Sequence, residues 1–201
     1  MKITDWFLSL VGKIKWPTSK LINTDDLKVI HDLLVKDYYI ILTRRSNHLS
    51  TFFIGFANFV LTRKWGHWSH SLMNLEDEVK DDSDFRLIES TSYGVHYTPF
   101  EKVFDVSSVA LLKPKKFDLC QWTGLLDKAK SELGKPYDTL FNLKDNQALS
   151  CVELVRTILM DEPNYLADFA EFEKLIATYK NLTPQMFFDC ADFEVVYLKK
   201  V

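Results

Sequence analysis

Residues 148–155 read Ala148-Leu149-Ser150-Cys151-Val152-Glu153-Leu154-Val155. Ser150, followed three positions later by Glu153 and by the apolar Leu154, Val155 and Ile158, is the pattern of a capping box. In such a box the serine and glutamate side chains satisfy each other's backbone N–H groups at a helix start. Cys151 therefore falls on the first helical residue. There the unpaired N–H groups and the positive end of the helix dipole favour a thiolate over a thiol. The same position offers a backbone N–H to an oxyanion as a carbonyl is attacked. A cysteine at such a place can equally be a small core hydrophobe, so a nucleophile needs a nameable base.

Working back from Cys151, the candidate base is His70 in Trp65-Gly66-His67-Trp68-Ser69-His70-Ser71-Leu72. On a strand beginning near Trp68, alternation places Trp68, His70 and Leu72 on one face. The next extended segment, Arg86-Leu87-Ile88-Glu89-Ser90, carries Glu89 among apolar residues. Paired beside His70, its carboxylate fixes the imidazole tautomer and favours the imidazolium that partners a thiolate. The plain alternative for Glu89 is a solvent-facing position, and His96 on a third strand is a substitute orienting group. A zinc site using His67, His70 and a cysteine is the weakest reading, because His-x-x-His on a strand does not put both rings on one face. No metal and no cofactor is expected. None of the 6 glycines forms a phosphate-cradling loop.

Helical spacing of Ile3, Trp6, Phe7, Leu10, Val11 and Ile14 predicts an amphipathic helix ended by Pro17, and residues 1–22 are set apart as this helix and a linker. The helix packs on the domain or provides peripheral membrane contact through residues 1–16. Asn23 or Thr24 caps a helix to about Lys36. Tyr38 to Thr43 reads as a buried strand, and Leu49 to Leu61 as a mostly buried helix. Extended segments follow at Trp68 to Leu75, Phe85 to Ser90, Gly94 to Thr98 and Ser108 to Lys113, with the acidic Glu76 to Asp84 as a hairpin loop. A helix from Lys116 to Leu133 is stopped by Gly134 and Pro136. Helices start at Ser150, at about Tyr165 and at Thr183-Pro184, before a last strand at Phe193 to Lys199. Residues 23–201 thus form one α+β domain with a central antiparallel sheet or partial barrel packed against helices.

Composition narrows the function. At 201 residues the chain is long enough for one well-filled core. A net charge of −3 removes any general electrostatic reason to bind nucleic acid, whose phosphates require clustered Lys and Arg. The three cysteines, Cys120, Cys151 and Cys190, are too few and too widely spaced for a disulfide framework, so reduced thiols and a cytoplasmic residence are expected. Neither a secretory signal nor an apolar run of spanning length is apparent.

The order Ser69-His70 on one strand, Ile88-Glu89 on the next, Tyr97-Thr98-Pro99, then Gly134-Lys135-Pro136-Tyr137-Asp138 with Phe141, and Ser150-Cys151-Val152-Glu153-Leu154-Val155 resembles the circularly permuted branch of the NlpC-type papain-like superfamily, which has bacterial, phage and poxvirus members. The likeness extends to Tyr39-Ile40-Ile41-Leu42-Thr43-Arg44 as a first strand and Leu182-Thr183-Pro184 as a late helix start. It implies a permuted papain-like fold with Cys151 as nucleophile, His70 as base and Glu89 as orienting acid. Tyr137 and Ser150 are then expected at the oxyanion or substrate.

The resemblance implies a cysteine peptidase or amidase acting on peptide or amino-acid amide bonds. An alternative is a thiol acyltransferase or phospholipase taking a lipid acyl substrate, favoured if the N-terminal helix and Leu49 to Leu61 are exposed near the site. A third is a non-catalytic binding module that keeps the fold. Core packing is the expected role of Trp65 and Trp68, and residues 161–180 match no family motif.

Overall fold

Two inner strands, Ile40–Arg44 and Ser108–Pro114, are buried along nearly their whole length and carry apolar runs because both of their faces are covered. The computed structural model describes residues 21–45, 49–75, 86–117, 119–138, 147–160, 166–179 and 181–201. The expected N-terminal helix, the acidic stretch Glu76 to Asp84 and Phe141 lie outside the described residues.

In chain order the elements are α1 (Thr24–Lys36), β1 (Ile40–Arg44), α2 (Leu49–Thr62), β2 (His70–Met73), β3 (Arg86–Thr91), β4 (Gly94–Pro99), α3 (Phe100–Val103), β5 (Ser108–Pro114), α4 (Leu119–Ser131), α5 (Cys151–Met160), a short 3-10 helix (Leu166–Phe169), α6 (Ala170–Tyr179), α7 (Pro184–Asp189) and β6 (Phe193–Lys200). The strands make one antiparallel sheet in the order β4-β3-β2-β1-β5-β6. It does not close on itself. The fold is α+β, an open six-stranded antiparallel sheet packed with helices.

Alternation along β1 splits the core in two. Ile40 and Leu42 pack with Trp122 and Leu125 of α4, Leu154 and Ile158 of α5, and Phe172 of α6. Ile41 faces the other way, onto Ile30 and Leu34 of α1 and Phe100 of α3. The helix start at Asn23 behaves as its side chain dictates: its Oδ1 accepts the N–H of Asp26 at 2.8 Å.

Some boundaries differ from the sequence reading. Lys115 and Lys116 form a turn after Pro114, so α4 starts at Leu119. The segment expected as one helix from Tyr165 divides into a 3-10 helix and α6. Residues 100–103 form a helix too short to leave a periodic pattern. Trp68 is buried but precedes β2 and joins the cluster of Met73, whereas Leu72 belongs to the opposite one.

The larger correction concerns α2. The helix forms where expected, yet it is not mostly buried: Phe52, Phe53, Phe56, Phe59 and Val60 are between 40 and 52% exposed. Trp65, expected in the core, is exposed as well. The buried side of α2 is its small and polar one, because the contact is a close backbone approach. A Cβ on Gly55 would lie 2.8 Å from the carbonyl oxygen of Gly66, and one on Gly66 would lie 2.8 Å from Cβ of Asn58. Only the glycine side can come so near.

Candidate active site

The capping box is present in both directions. The Ser150 N–H donates to Glu153 Oε2 at 2.7 Å, and the Glu153 N–H points to Ser150 Oγ at 3.4 Å. Cys151 is thereby the first residue of α5, and it is 6% exposed. Ser150, proposed at the substrate or oxyanion, is fully buried with its N–H committed to Glu153; its place is that of a cap.

α5 packs across β2 and β3. Those two strands are paired at Met73↔Ile88. Toward the other end of β2, the backbone N–H of Ser71 serves the Cys151 sulfur. The helix start thus occupies the place where β2 and β3 part, and Ser90 Oγ fastens it by donating to the carbonyl of Leu149.

His70 stands at the first residue of β2, where its imidazole meets Cys151 on one side and Glu89 on the other. Its Nε2 lies 2.7 Å from Glu89 Oε2. With Nε2–H donated to the carboxylate, Nδ1 is the nitrogen left for the sulfur. The imidazole remains about a quarter exposed, at 25%, so it can reach a substrate. Glu89 is in turn held by Thr98, whose Oγ1 donates to Oε1 at 2.5 Å. His96, the substitute orienting group, pairs with Glu89 in the β3–β4 register and places Nε2 at 3.7 Å from Oε1. It flanks the carboxylate, while Glu89 is the group that touches His70.

The electrostatics favour an ion pair. Burial opposes charge on His70, but the Cys151 charge and hydrogen bond, followed by Glu89, outweigh it and raise the imidazole pKa to about 10. Burial likewise opposes the Cys151 thiolate, and the His70 charge and hydrogen bond, followed by the Ser71 backbone N–H, pull the thiol below its ordinary value. Glu89, despite desolvation, is held down to about 2 by His70, Thr98 and His96. Because sulfur and imidazole titrate together, the macroscopic values belong to the pair.

Tyr137 lies beside Cys151, and burial, then the charges of Cys151, Glu153 and Asp138, push its phenol well above the usual range. It stays a hydrogen-bond donor at neutral pH. Its backbone is placed by Gly94, whose positive φ of 89° lets β4 approach Lys135: the Val95 N–H donates to the Lys135 carbonyl at 2.8 Å, and the Leu149 N–H to Pro136 at 2.9 Å. Beneath Tyr137, Glu153 and the buried Asp138 form a carboxyl pair, and burial first, then Asp138, raises the Glu153 pKa.

A partly open groove lies at Cys151. Its walls include Ile54, Ala57 and Leu61 of α2, Val152 of α5, and Leu182 and Pro184 around the start of α7. α7 is tied to the loop before β2 by Gln185, whose Oε1 accepts the N–H of His67 at 2.7 Å. His67 sits near Arg44 and Lys200, and burial with those two charges lowers its pKa to about 4. Among the described residues no three His, Cys, Asp or Glu side chains are grouped so as to hold a metal ion.

Of the residues expected from sequence, Cys151, His70, Glu89 and Tyr137 converge. Ser71 and Thr98 were missed as contacts, although Thr98 carried a signal: it lies two residues from the candidate His96, on the same face of an expected strand. No helix among the described residues is long and apolar enough to cross a membrane.

No protein-family model matches the sequence, and no curated protein matches it significantly. The structure is similar to the crystal structure of the metalloprotein yiiX from Escherichia coli O157:H7, a DUF1105 protein, at a TM-score of 0.55 and 20% identity, with 81% of this chain and 97% of that chain covered. What the two chains share on that footing is the fold.

Proposed function

We propose that this chain is a cysteine hydrolase that carries an acyl group on Cys151, in a permuted papain-like domain of the NlpC type. The observation that supports this most is the line from Cys151 through His70 to Glu89, with the thiol at a helix start and its pKa lowered. The base precedes the nucleophile in the chain, as the resemblance implies.

In the proposed reaction the thiolate attacks the substrate carbonyl carbon, and the π pair moves onto oxygen. The backbone N–H of Cys151 meets that oxyanion, with the protonated Tyr137 alongside. The His70 imidazolium gives its proton to the leaving amine or alkoxide, the acyl bond breaks, and a thioester remains on Cys151. Neutral His70 then takes a proton from water, which attacks the thioester. The thiolate leaves, the acid product departs, and the ion pair is restored. Glu89 keeps the ring oriented throughout. Although yiiX is described as a metalloprotein, the side chains described here do not fit a metal, and no step runs through one.

The resemblance implies an amide bond of a peptide or amino acid. A second reading, transfer of a lipid acyl group, is favoured by the groove itself: no Asp, Glu, Lys, Arg or His lines it, and its walls are mostly aliphatic.

Both readings are tested by incubating the protein with peptide or amino-acid amides and with short-chain fatty-acyl esters, reading intact mass. The expected result is an acyl adduct on Cys151 that is absent from Cys151→Ala, and the donor that forms it identifies the bond. No adduct from either donor, together with a Cys151 that alkylates no faster than Cys190, would leave a binding module and overturn the proposal.

A further inference from the structure

α2 presents its apolar residues outward and its polar ones inward. Thr51, Gly55, Asn58 and Thr62 recur at helical spacing on the side toward the protein body. Their polar atoms are used there: Thr51 Oγ1 donates to the Arg45 carbonyl at 2.7 Å, Asn58 Nδ2 donates to the Lys64 carbonyl at 2.8 Å, and Asn58 Oδ1 accepts the Thr183 hydroxyl. The next stripe, Ile54, Ala57 and Leu61, lines the Cys151 groove. Phe52, Phe53, Phe56, Phe59 and Val60 remain on the outside. Trp65 extends this surface, its ring 5.3 Å from Phe52 and 6.4 Å from Phe56.

The charges that the chain carries on either side of α2 have one sign. Arg44 and Arg45 precede α2, Arg63 and Lys64 follow it, and no Asp or Glu occurs between Asp37 and Glu76 in a chain whose net charge is −3. Arg63 and Lys64 are exposed, while Arg44 and Arg45 donate to the carbonyls of His67 and Lys102. Such a rim disfavours a second copy. Two α2 faces laid together in either direction bring basic ends onto basic ends. An aromatic face with a tryptophan beside it and cations at both ends complements an anionic bilayer surface.

We propose that the outer face of α2 docks this protein on anionic membranes, seating the phenylalanines and Trp65 at the headgroup and acyl boundary with Arg63 and Lys64 on the phosphates. The groove stripe lies on the same helix, beside that outer face. Docking rests on α2 and its flanking cations alone, so it stands or falls separately from the thiol chemistry.

The test is co-sedimentation of the full chain with vesicles of phosphatidylcholine and with vesicles in which about a third of the lipid is phosphatidylserine. The protein is expected to pellet with the anionic vesicles and to be released by salt. Phe53→Ser/Phe56→Ser/Phe59→Ser should lower binding by roughly tenfold or more, and Arg63→Glu/Lys64→Glu should remove the preference for phosphatidylserine. Thermal melting shows that each variant is folded, which these exposed positions allow. Wild-type protein left in the supernatant with both vesicles overturns the proposal. So does binding that survives the phenylalanine changes but is lost in Trp6→Ser/Phe7→Ser, which assigns the contact to the N-terminal segment. A dimer that the phenylalanine changes dissociate, without vesicle binding, assigns the face to a second copy and equally overturns it.

Discussion

Glu89 accepts the Nε2–H of His70 at 2.7 Å, leaving Nδ1 as the nitrogen that faces Cys151. The carboxylate is backed by Thr98 and flanked by His96, so the imidazole is held from behind by a group whose own charge is secured.

Replacing that charge tests the arrangement. Glu89→Gln keeps the size and an acceptor but withdraws support for the imidazolium, which in turn lowers support for the thiolate. The expected result is a fall of about 10- to 100-fold in acyl transfer. The acid limb of the Cys151 alkylation profile should move to higher pH in the variant. A purely structural role for Glu89 would reduce the rate and leave the limb in place.

Cys151 and Cys190, both buried, should part company in their reactivity. Cys151 is pulled below the ordinary thiol range by His70, whereas burial pushes Cys190 up to about 11. In a Cys120→Ser background, iodoacetamide should label Cys151 at mildly acidic pH and leave Cys190 untouched. Peptide mapping reads the difference. Cys151 labelling should decline in His70→Gln at the same pH, because the thiol then lacks its cation.

Gly94→Ala should destabilise the protein far more than Gly134→Ala, although both glycines have positive φ. A Cβ on Gly94 would lie 2.5 Å from the Lys135 carbonyl oxygen, while one on Gly134 meets nothing within 4 Å. The second substitution carries only the backbone strain, about 1 kcal/mol, and the first adds a steric clash for a total of roughly 2–4 kcal/mol. Thermal unfolding should show a fall of about 5–15 °C for Gly94→Ala. Activity should fall with it, since Lys135 leads directly into Tyr137.

Glu153→Gln should stabilise the protein above the ordinary carboxylate range. The native pKa of Glu153 is raised by burial and then by Asp138, so the folded chain holds a proton that the unfolded chain releases. Wild-type stability therefore drops as pH rises from about 4.5 toward the native value, and a glutamine has no such loss. Unfolding free energies from urea titrations should be similar near about pH 4.5 and should favour the variant by roughly 1 kcal/mol near about pH 8.

What could be read from sequence follows the range of each interaction. The capping box at Ser150 and Glu153 is local, so its four residues fix both the helix start and the place of Cys151. The buried strands β1 and β5 declare themselves through unbroken apolar runs. Whether Glu89 meets His70 depends on the register Met73↔Ile88, which no local pattern specifies, and so the pairing was one of two readings. Ser71 was missed for the same reason, since its role arises where β2 and β3 separate. α2 misled because a helix of fourteen residues without a charge reads as buried from composition alone. Its orientation is decided by Gly55 and Gly66, which touch only in three dimensions.

That backbone contact between Gly55 and Gly66 also fixes the calibre of the cleft. Asn58 Oδ1 also accepts the Thr183 hydroxyl, which ties α2 to the start of α7 on the other wall of the cleft. In the proposed reaction such a cleft would sort acyl groups by size, so enlarging either glycine should change which molecules fit before it changes how fast the bond is broken.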